Sequence, residues 1–266
     1  MDLGLEGRAC AVTGASRGIG RETARLFAAE GARVLLAARN EQQLADATRE
    51  CERAGGEAAP LVLDVTAEDA GGRLVAGAGE AFGGLDVLVN NAGSARWRDL
   101  DEVPDADWRA AFELNVMAPL RAMRAAIPAM AERGWGRVVN VASTAAKRPS
   151  ASMPEYSVAK AAELSLSRLF ADRYAAEGVL VNAICPGPVA SELWMEPGGL
   201  LDQSKEMAGA ASREPALDTA GAKRPIGRLA EVAEIAGAIV FLCSERASYV
   251  SGAAWSVDGG TVQVII

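Results

Sequence analysis

The octet Thr13-Gly14-Ala15-Ser16-Arg17-Gly18-Ile19-Gly20 constrains this chain more than any other feature. It follows a short apolar run at 9–12 and opens a helical pattern at 19–30. Glycines at a strand-to-helix junction have a physical use. Gly14 permits a tight turn. Gly18 and Gly20 let the backbone approach a ligand and let the helix sit close to a sheet. The helix N-terminus then offers N–H donors and positive potential to a pyrophosphate. The spacing is G-x-x-x-G-x-G rather than G-x-G-x-x-G, so for the octet alone a plain strand–helix turn is the alternative.

The rest of the chain repeats the same alternation. Apolar runs at 9–12, 33–37, 58–63, 87–89, 137–141, 180–184 and 254–257 predict strands. Helical patterns fall at 19–30, 41–54, 67–82, 105–132, 155–177 and 230–243. Continuous apolar runs suit strands buried on both faces. The order predicts an α/β fold, a doubly wound parallel sheet with helices on both faces. Half of the 266 residues are apolar, enough for a large core, and no domain boundary, repeat or low-complexity tract interrupts them. The expected organisation is a single dinucleotide-binding domain over 1–266.

Residues 190–225 break the rhythm, with Pro197, Gly198, Gly199, Pro215 and Pro225 among short helical patterns. The segment is too long for an ordinary connection, and it follows a strand's carboxyl end, where such sheets bind ligands. It is predicted to be a substrate lid, with Leu193, Trp194, Met195, Leu200 and Leu201 facing the ligand. The alternative is a surface excursion that packs its own apolar residues.

A net charge of −8 and a pI near 4.9 argue against a general nucleic-acid binder, while leaving room for a local basic pocket. Cys10, Cys51, Cys185 and Cys243 are scattered and the chain has no histidine, so no metal site is expected and the thiols read as core residues of a reducing compartment. The start lacks the pattern of a signal peptide, and no apolar stretch is long enough to span a bilayer. The expectation is a soluble cytoplasmic protein with no membrane partner.

The second strand indicates the cofactor. It ends Leu35-Leu36-Ala37-Ala38-Arg39-Asn40, without the acid that would bind an adenine-ribose 2′-hydroxyl. Arg39, with Arg17 in the glycine turn, suits a 2′-phosphate, so NADP(H) is expected over NAD(H); solvated surface arginines are the alternative. Asp64-Val65 follows the third strand. Asp64 can accept from an adenine amino group or cap a helix. Asn90-Asn91-Ala92-Gly93 ends the fourth strand, either to let the backbone lie against the cofactor or simply to turn.

Without histidine, acid–base chemistry must use another group. Tyr156 and Lys160 are four apart and share one helix face. A free phenol has a pKa of ~10; lowering it by ~3 units takes ~4 kcal/mol, which a neighbouring ammonium can supply. Ser143, just past the fifth strand, can hydrogen-bond a substrate oxygen. Asn115 lies within a helical pattern, where asparagine is a poor fit. It either disturbs the backbone and holds a water, or is an exposed surface amide.

Together these motifs resemble the short-chain dehydrogenase/reductase family over essentially the whole chain: TGxxxGxG at Thr13–Gly20, NNAG at Asn90–Gly93, Asn115, Ser143, YxxxK at Tyr156–Lys160 and Pro186-Gly187. The resemblance implies a single Rossmann domain with a seven-stranded sheet. It implies Tyr156 as proton donor or acceptor, Lys160 on the nicotinamide ribose, Ser143 on the substrate carbonyl and Asn115 holding a water in a proton relay. Cofactor contacts are implied at Gly14, Ser16, Arg17, Gly18, Ile19 and Gly20, at Arg39, Asp64 and Val65, and at Asn91, Ala92 and Gly93. Pro186, Gly187, Val189 and Ser191 would lie along the nicotinamide, Ser191 standing where many members carry threonine.

Within the family the pattern is most similar to 3-oxoacyl-carrier-protein reductase-like members. The expected reaction is NADP(H)-linked interconversion of a ketone and a secondary alcohol, on a small molecule or an acyl thioester. An NAD-dependent alcohol or sugar dehydrogenase is the rival of the same kind. A catalytically idle dinucleotide-binding sensor or scaffold is the rival of another kind. Arg96, Arg98, Lys147 and Arg148 either form a docking patch for an acyl carrier or are ordinary solvated charges. Trp97, Met153, Trp194 and Met195 suggest an apolar pocket, or core packing. The helix at 155–177 is apolar nearly all round and the chain ends Val262-Gln263-Val264-Ile265-Ile266, so a homotetramer (or homodimer) is expected; a monomer with a frayed tail is the alternative.

Overall fold

The computed structural model describes residues 2–208 and 212–263, apart from the side chains of 207 and 208. Seven strands form one sheet in the order β3-β2-β1-β4-β5-β6-β7, every neighbouring pair parallel. The strands are β1 Ala9–Thr13, β2 Arg33–Ala38, β3 Glu57–Val62, β4 Val87–Asn90, β5 Gly136–Val141, β6 Val179–Pro186 and β7 Ala254–Val257. β1 and β4 pair directly although two strands intervene in sequence. The winding reverses between them, and ligands bind beyond the carboxyl ends of the strands at such a reversal.

Parallel strands need crossovers, and helices supply them. α1 Gly18–Ala29, α2 Glu41–Arg53 and α11 Val232–Cys243 cover one face, where Phe27, Leu44 and Ile239 pack on Val12, Val34 and Val139. α3 Ala70–Phe82, α5 Ala118–Glu132 and α7 Pro154–Tyr174 cover the other, with Leu74, Met123 and Ile127 on Leu88 and Val138. The inner strands are apolar on both sides for this reason, and β1 and β4 are buried throughout. All four cysteines are buried, and burial raises the pKa of each thiol, Cys51 to about 12 and Cys185 to about 11.

Local signals set the ends. The Asn40 side chain accepts from Gln43 N–H at the start of α2, and Gly83, at φ +80°, ends α3. α4 Asp105–Phe112 runs into α5 through a π-helical turn, Glu113–Met117, so the pattern at 105–132 is three pieces rather than one helix. The predicted start of α3 at 67 moves to Ala70, because Asp64 closes a turn by accepting from the backbone N–H and hydroxyl of Thr66.

Beyond β6, the described residues of 190–225 form α8 Glu192–Met195, α9 Leu200–Ala208 and α10 Arg213–Ala222, residues 209–211 of the predicted lid lying outside the described residues. These build a small core of their own from Trp194, Leu200, Leu201, Ala216 and Ala220, against which Trp97 packs. A short α6, Thr144–Lys147, follows β5. No helix among the described residues is long and apolar enough to cross a membrane.

Candidate active site

A cleft of about 1690 Å³ opens beyond the carboxyl ends of the strands, between the glycine turn, the ends of β4 and β5, the start of α7 and the segment after β6. The glycine turn forms its floor. Gly14 and Gly18 adopt φ of +65° and +55°, which side chains rarely tolerate. A Cβ on Gly20 would lie 2.4 Å from Asn91 Nδ2 and 2.5 Å from the Gly14 carbonyl oxygen. Thr13 binds the turn to the end of β4: its hydroxyl accepts from the N–H groups of Asn91 and Ala92, at 3.0 and 3.1 Å. Asn91 completes the clamp by donating to the Thr13 carbonyl at 2.9 Å. The side chain of Asn91 holds the turn, and the residue also lines the cleft.

α1 begins at this turn with no side-chain cap and no acidic residue in its first turn. Its N–H groups are left for an anion. The residues around it fit a dinucleotide: Ser16, Arg17, Gly18 and Ile19 line the cleft at one end, and Arg39, Asp64 and Val65 at another. Ala92, Gly93, Pro186, Gly187, Val189 and Ser191 line it further along. Gly20 lies behind the lining, where it governs how closely helix and turn meet. Arg39 is exposed directly after β2 and makes no ion pair among the described residues, whereas Arg17 is paired with Glu196 at 2.7 Å. Both arginines line the cleft, Arg17 engaged by Glu196 and Arg39 without such a partner among the described residues. Asp64 does not cap a helix, since α3 starts at Ala70. It stays exposed, its carboxyl held below the usual range by the Thr66 hydrogen bonds, with Arg39 adding to the effect.

The first turns of α7 bring Tyr156 and Lys160 to the same cleft as Ser143. Lys160 Nζ lies 5.8 Å from the centroid of the Tyr156 ring. The ammonium is buried and donates to the Val141 carbonyl at 2.7 Å and to Glu163 Oε2 at 2.8 Å. Burial works to lower the Lys160 pKa; Glu163 and Tyr156 outweigh it, so the group stays charged. Ser143 caps α6, its oxygen accepting from Ala145 N–H at 3.1 Å, which leaves its hydroxyl proton to donate elsewhere.

Asn115 is buried in the π-helical turn, so the exposed-amide reading is corrected. Its Nδ2 donates to the Ala111 carbonyl at 2.9 Å, while its Oδ1 is buried with no partner among the described residues. A Cβ placed on Gly93 would lie 3.4 Å from that oxygen and 3.8 Å from Lys160 Nζ, so the two share a corner of the site. Behind it runs a buried polar chain: Asn90 donates to Asn140, Asn140 to Ser167, and Ser167 to the Glu163 carbonyl. The sequence reading gave no role to Glu163, Asn140 or the side chain of Thr13. For Glu163 a signal existed, an acid three residues beyond Lys160 and so one turn along the same helix.

The proposed docking patch is reduced. Arg98 pairs with Asp107, and Lys147 donates to Ala254 and Ser256. Of the four apolar candidates, Trp97, Met153 and Trp194 line the cleft, while Met195 does not. Of the five lid residues, Leu193, Trp194 and Leu200 reach it, and Leu201 is buried in the lid's own core.

Residues 14–262 match the family model described as Enoyl-(Acyl carrier protein) reductase. The chain belongs to the short-chain dehydrogenase/reductase family. This short-chain dehydrogenase/reductase is 40% identical over 259 residues to galactitol 2-dehydrogenase (L-tagatose-forming) of Cereibacter sphaeroides, covering 96% of this chain and 95% of that one. It is 32% identical over 258 residues to a 3-oxoacyl-[acyl-carrier-protein] reductase of Thermotoga maritima, covering 97% and 99%. The crystal structure of L-sorbose reductase from Gluconobacter frateurii, complexed with NADPH and L-sorbose, superposes with a TM-score of 0.92 at 35% identity over the whole of both chains.

Proposed function

We propose that this oxidoreductase interconverts a ketone and a secondary alcohol with NADP(H), and that Tyr156, Lys160, Ser143 and Asn115 carry the reaction. The observation that supports it most is the convergence of Tyr156, buried charged Lys160 and Ser143 on one cleft that also holds the glycine turn. Arg39 after β2, with no acid in its place, favours a 2′-phosphate over a bare ribose hydroxyl. The NADPH complex of the L-sorbose reductase is consistent with this choice.

When bound, NADPH supplies the hydride. The protein's own groups do the rest. The Ser143 hydroxyl donates a hydrogen bond to the substrate carbonyl oxygen and orients it. Tyr156 gives its phenolic proton to that oxygen as the alcohol forms. Lys160, fixed by Glu163 and the Val141 carbonyl, keeps a positive charge beside the phenol and so favours its release of the proton. Asn115 Oδ1 can accept from a water that returns a proton toward Lys160 and Tyr156.

The same reading makes residues 190–225 a lid over the substrate, tied to the glycine turn by the Arg17–Glu196 pair. It also includes a homo-oligomer, since Val158 and Leu169 on α7 are 46% and 66% exposed. The direct test is NADPH oxidation, followed at saturating cofactor, over a panel of ketoses, cyclic ketones, steroids and 3-oxoacyl thioesters, repeated with NADH. Turnover with NADPH is expected. Cofactor binding without turnover of any carbonyl or alcohol would instead support a sensor or scaffold.

A further inference from the structure

Lys160 does not face the Tyr156 phenol alone. Its ammonium donates to Glu163 Oε2 at 2.8 Å and to the Val141 carbonyl at 2.7 Å, with Nζ 5.8 Å from the centroid of the Tyr156 ring. Both members of the ion pair are enclosed, and Glu163 pairs with no other cation among the described residues. One buried cation therefore serves two groups that can carry a negative charge. A carboxylate in contact with an ammonium cancels part of its potential at a third group, and water screens little of that effect in a buried site. Burial raises the Glu163 carboxyl to about 7, so it is ionised over the range where phenols titrate.

We infer that Glu163 is a positioning residue that acts through Lys160 as a counter-charge: it weakens proton release from Tyr156 and holds the phenol in the protonated form that carbonyl reduction uses. This rests on the ketone–alcohol reading above and names the charge that regulates its acid. With Glu163 ionised and Tyr156 protonated, the cluster of Lys160, Glu163 and Tyr156 is neutral. In the reduction the carbonyl carbon gains a hydride from NADPH, which leaves as NADP+, and the oxygen gains the Tyr156 proton. Two anions then share one cation, which draws a solvent proton back onto the phenol and completes the cycle.

No other charge near the pair duplicates this role. The Cys185 thiol on β6 acts on both members, but burial raises it to about 11 and keeps it neutral at the pH of the reaction. Asn140 on β5, Ser167 on α7 and Asn115 in the π-helical turn carry no charge. The charged groups of the other elements packed against α7 are engaged elsewhere or exposed. In α4 and the π-helical turn, Arg109 pairs with Asp105, Asp107 with Arg98 and Glu113 with Arg121. On α6, Lys147 donates to Ala254 and Ser256, and on α5, Arg124 is exposed. Glu155 adjoins Tyr156 and is only 6% exposed, but it is common to all the proteins compared in the test.

The test is optical and needs no substrate. The chain has 3 tyrosines, so the ultraviolet difference between each protein and its Tyr156→Phe counterpart isolates the Tyr156 phenolate. Glu163→Gln keeps an acceptor for Lys160 and removes the charge. Its phenolate midpoint is expected at a pH lower than that of the wild type by about one unit. Glu163→Met removes the charge at similar volume and should move the midpoint in the same direction. NADP+-linked oxidation of the best alcohol, which needs the phenolate, should rise at a correspondingly lower pH in Glu163→Gln. A residue that merely anchored Lys160 would do the opposite, since a displaced ammonium stabilises the phenolate less. A midpoint unmoved or raised in the charge-free variant that folds overturns the inference and leaves the ketone reductase standing. A lowered midpoint without turnover of any ketone or alcohol supports the counter-charge and overturns the ketone reading instead.

Discussion

Lys160 and Glu163 form a buried ion pair one helical turn apart on α7, Nζ to Oε2 at 2.8 Å, with side chains 3% and 1% exposed. The pair fixes the cation that faces Tyr156. It also makes stability depend on pH. Burial pushes the Glu163 carboxyl up to about 7 from an ordinary 4.5, against the pull of Lys160. A carboxyl that holds its proton more tightly when folded contributes fully below 4.5 and loses that contribution as pH rises through about 7. Glu163→Gln has no proton to lose there. The stability of the wild type minus that of Glu163→Gln should therefore fall by on the order of 3 kcal/mol between about pH 4 and pH 8. Urea midpoints across that range measure it, and a difference that grows with pH contradicts the account.

Asn115 links the backbone to the chemistry. Its amide nitrogen stitches the π-helical turn, which leaves its oxygen near Lys160. Asn115→Ala should cost about 1 kcal/mol of stability, the value of one hydrogen bond, yet lower kcat by roughly 10–100-fold. An unchanged kcat in a folded Asn115→Ala protein would limit the residue to shaping the helix.

The glycines separate function from propensity. Gly20→Ala forces a methyl into Asn91 and the Gly14 carbonyl, so the start of α1 must shift. Its NADPH Kd should rise at least about tenfold, because the N–H donors no longer align. Gly79 sits in α3 with nothing within 4 Å of an added Cβ. Gly79→Ala should raise stability by about 0.5–1 kcal/mol and leave Kd alone. Equal effects of the two substitutions on Kd would refute the role given to the turn.

Much of this was readable in the residues. Strand ends were found to within two residues, most directly for the inner strands, which are covered on both faces and continuously apolar. The break at 113–117 was not, since a π-helical turn inserts one residue and barely disturbs the spacing of the apolar positions around it. Tyr156, Ser143 and the glycine turn carry local signatures and were legible. Glu163, Asn140 and Glu155 were not singled out, and Thr13 was named only as part of the glycine motif. Thr13 meets its partners on Asn91 and Ala92, and Asn140 meets Asn90 and Ser167, pairings that only the fold reveals. Arg17 was legible as a base, but its engagement by Glu196 depended on how the segment after β6 returns.

Arg39 should decide the cofactor. Arg39→Ala is expected to weaken NADPH binding by roughly 10–100-fold while NADH binding changes by less than about threefold, the difference being a charge-assisted contact to the 2′-phosphate. Fluorescence titration with both dinucleotides reads this directly. If the preference survives the substitution, Arg39 is a solvated surface residue.

The central claim is that the Tyr156 phenol transfers the proton beside the Lys160 ammonium. The measurement that tests it most directly is kcat of Tyr156→Phe beside its NADPH Kd, on the best substrate of the panel. The account predicts a kcat lower by roughly 10²–10⁴-fold with Kd within a factor of about three. A variant that turns over at close to the wild-type rate would contradict it.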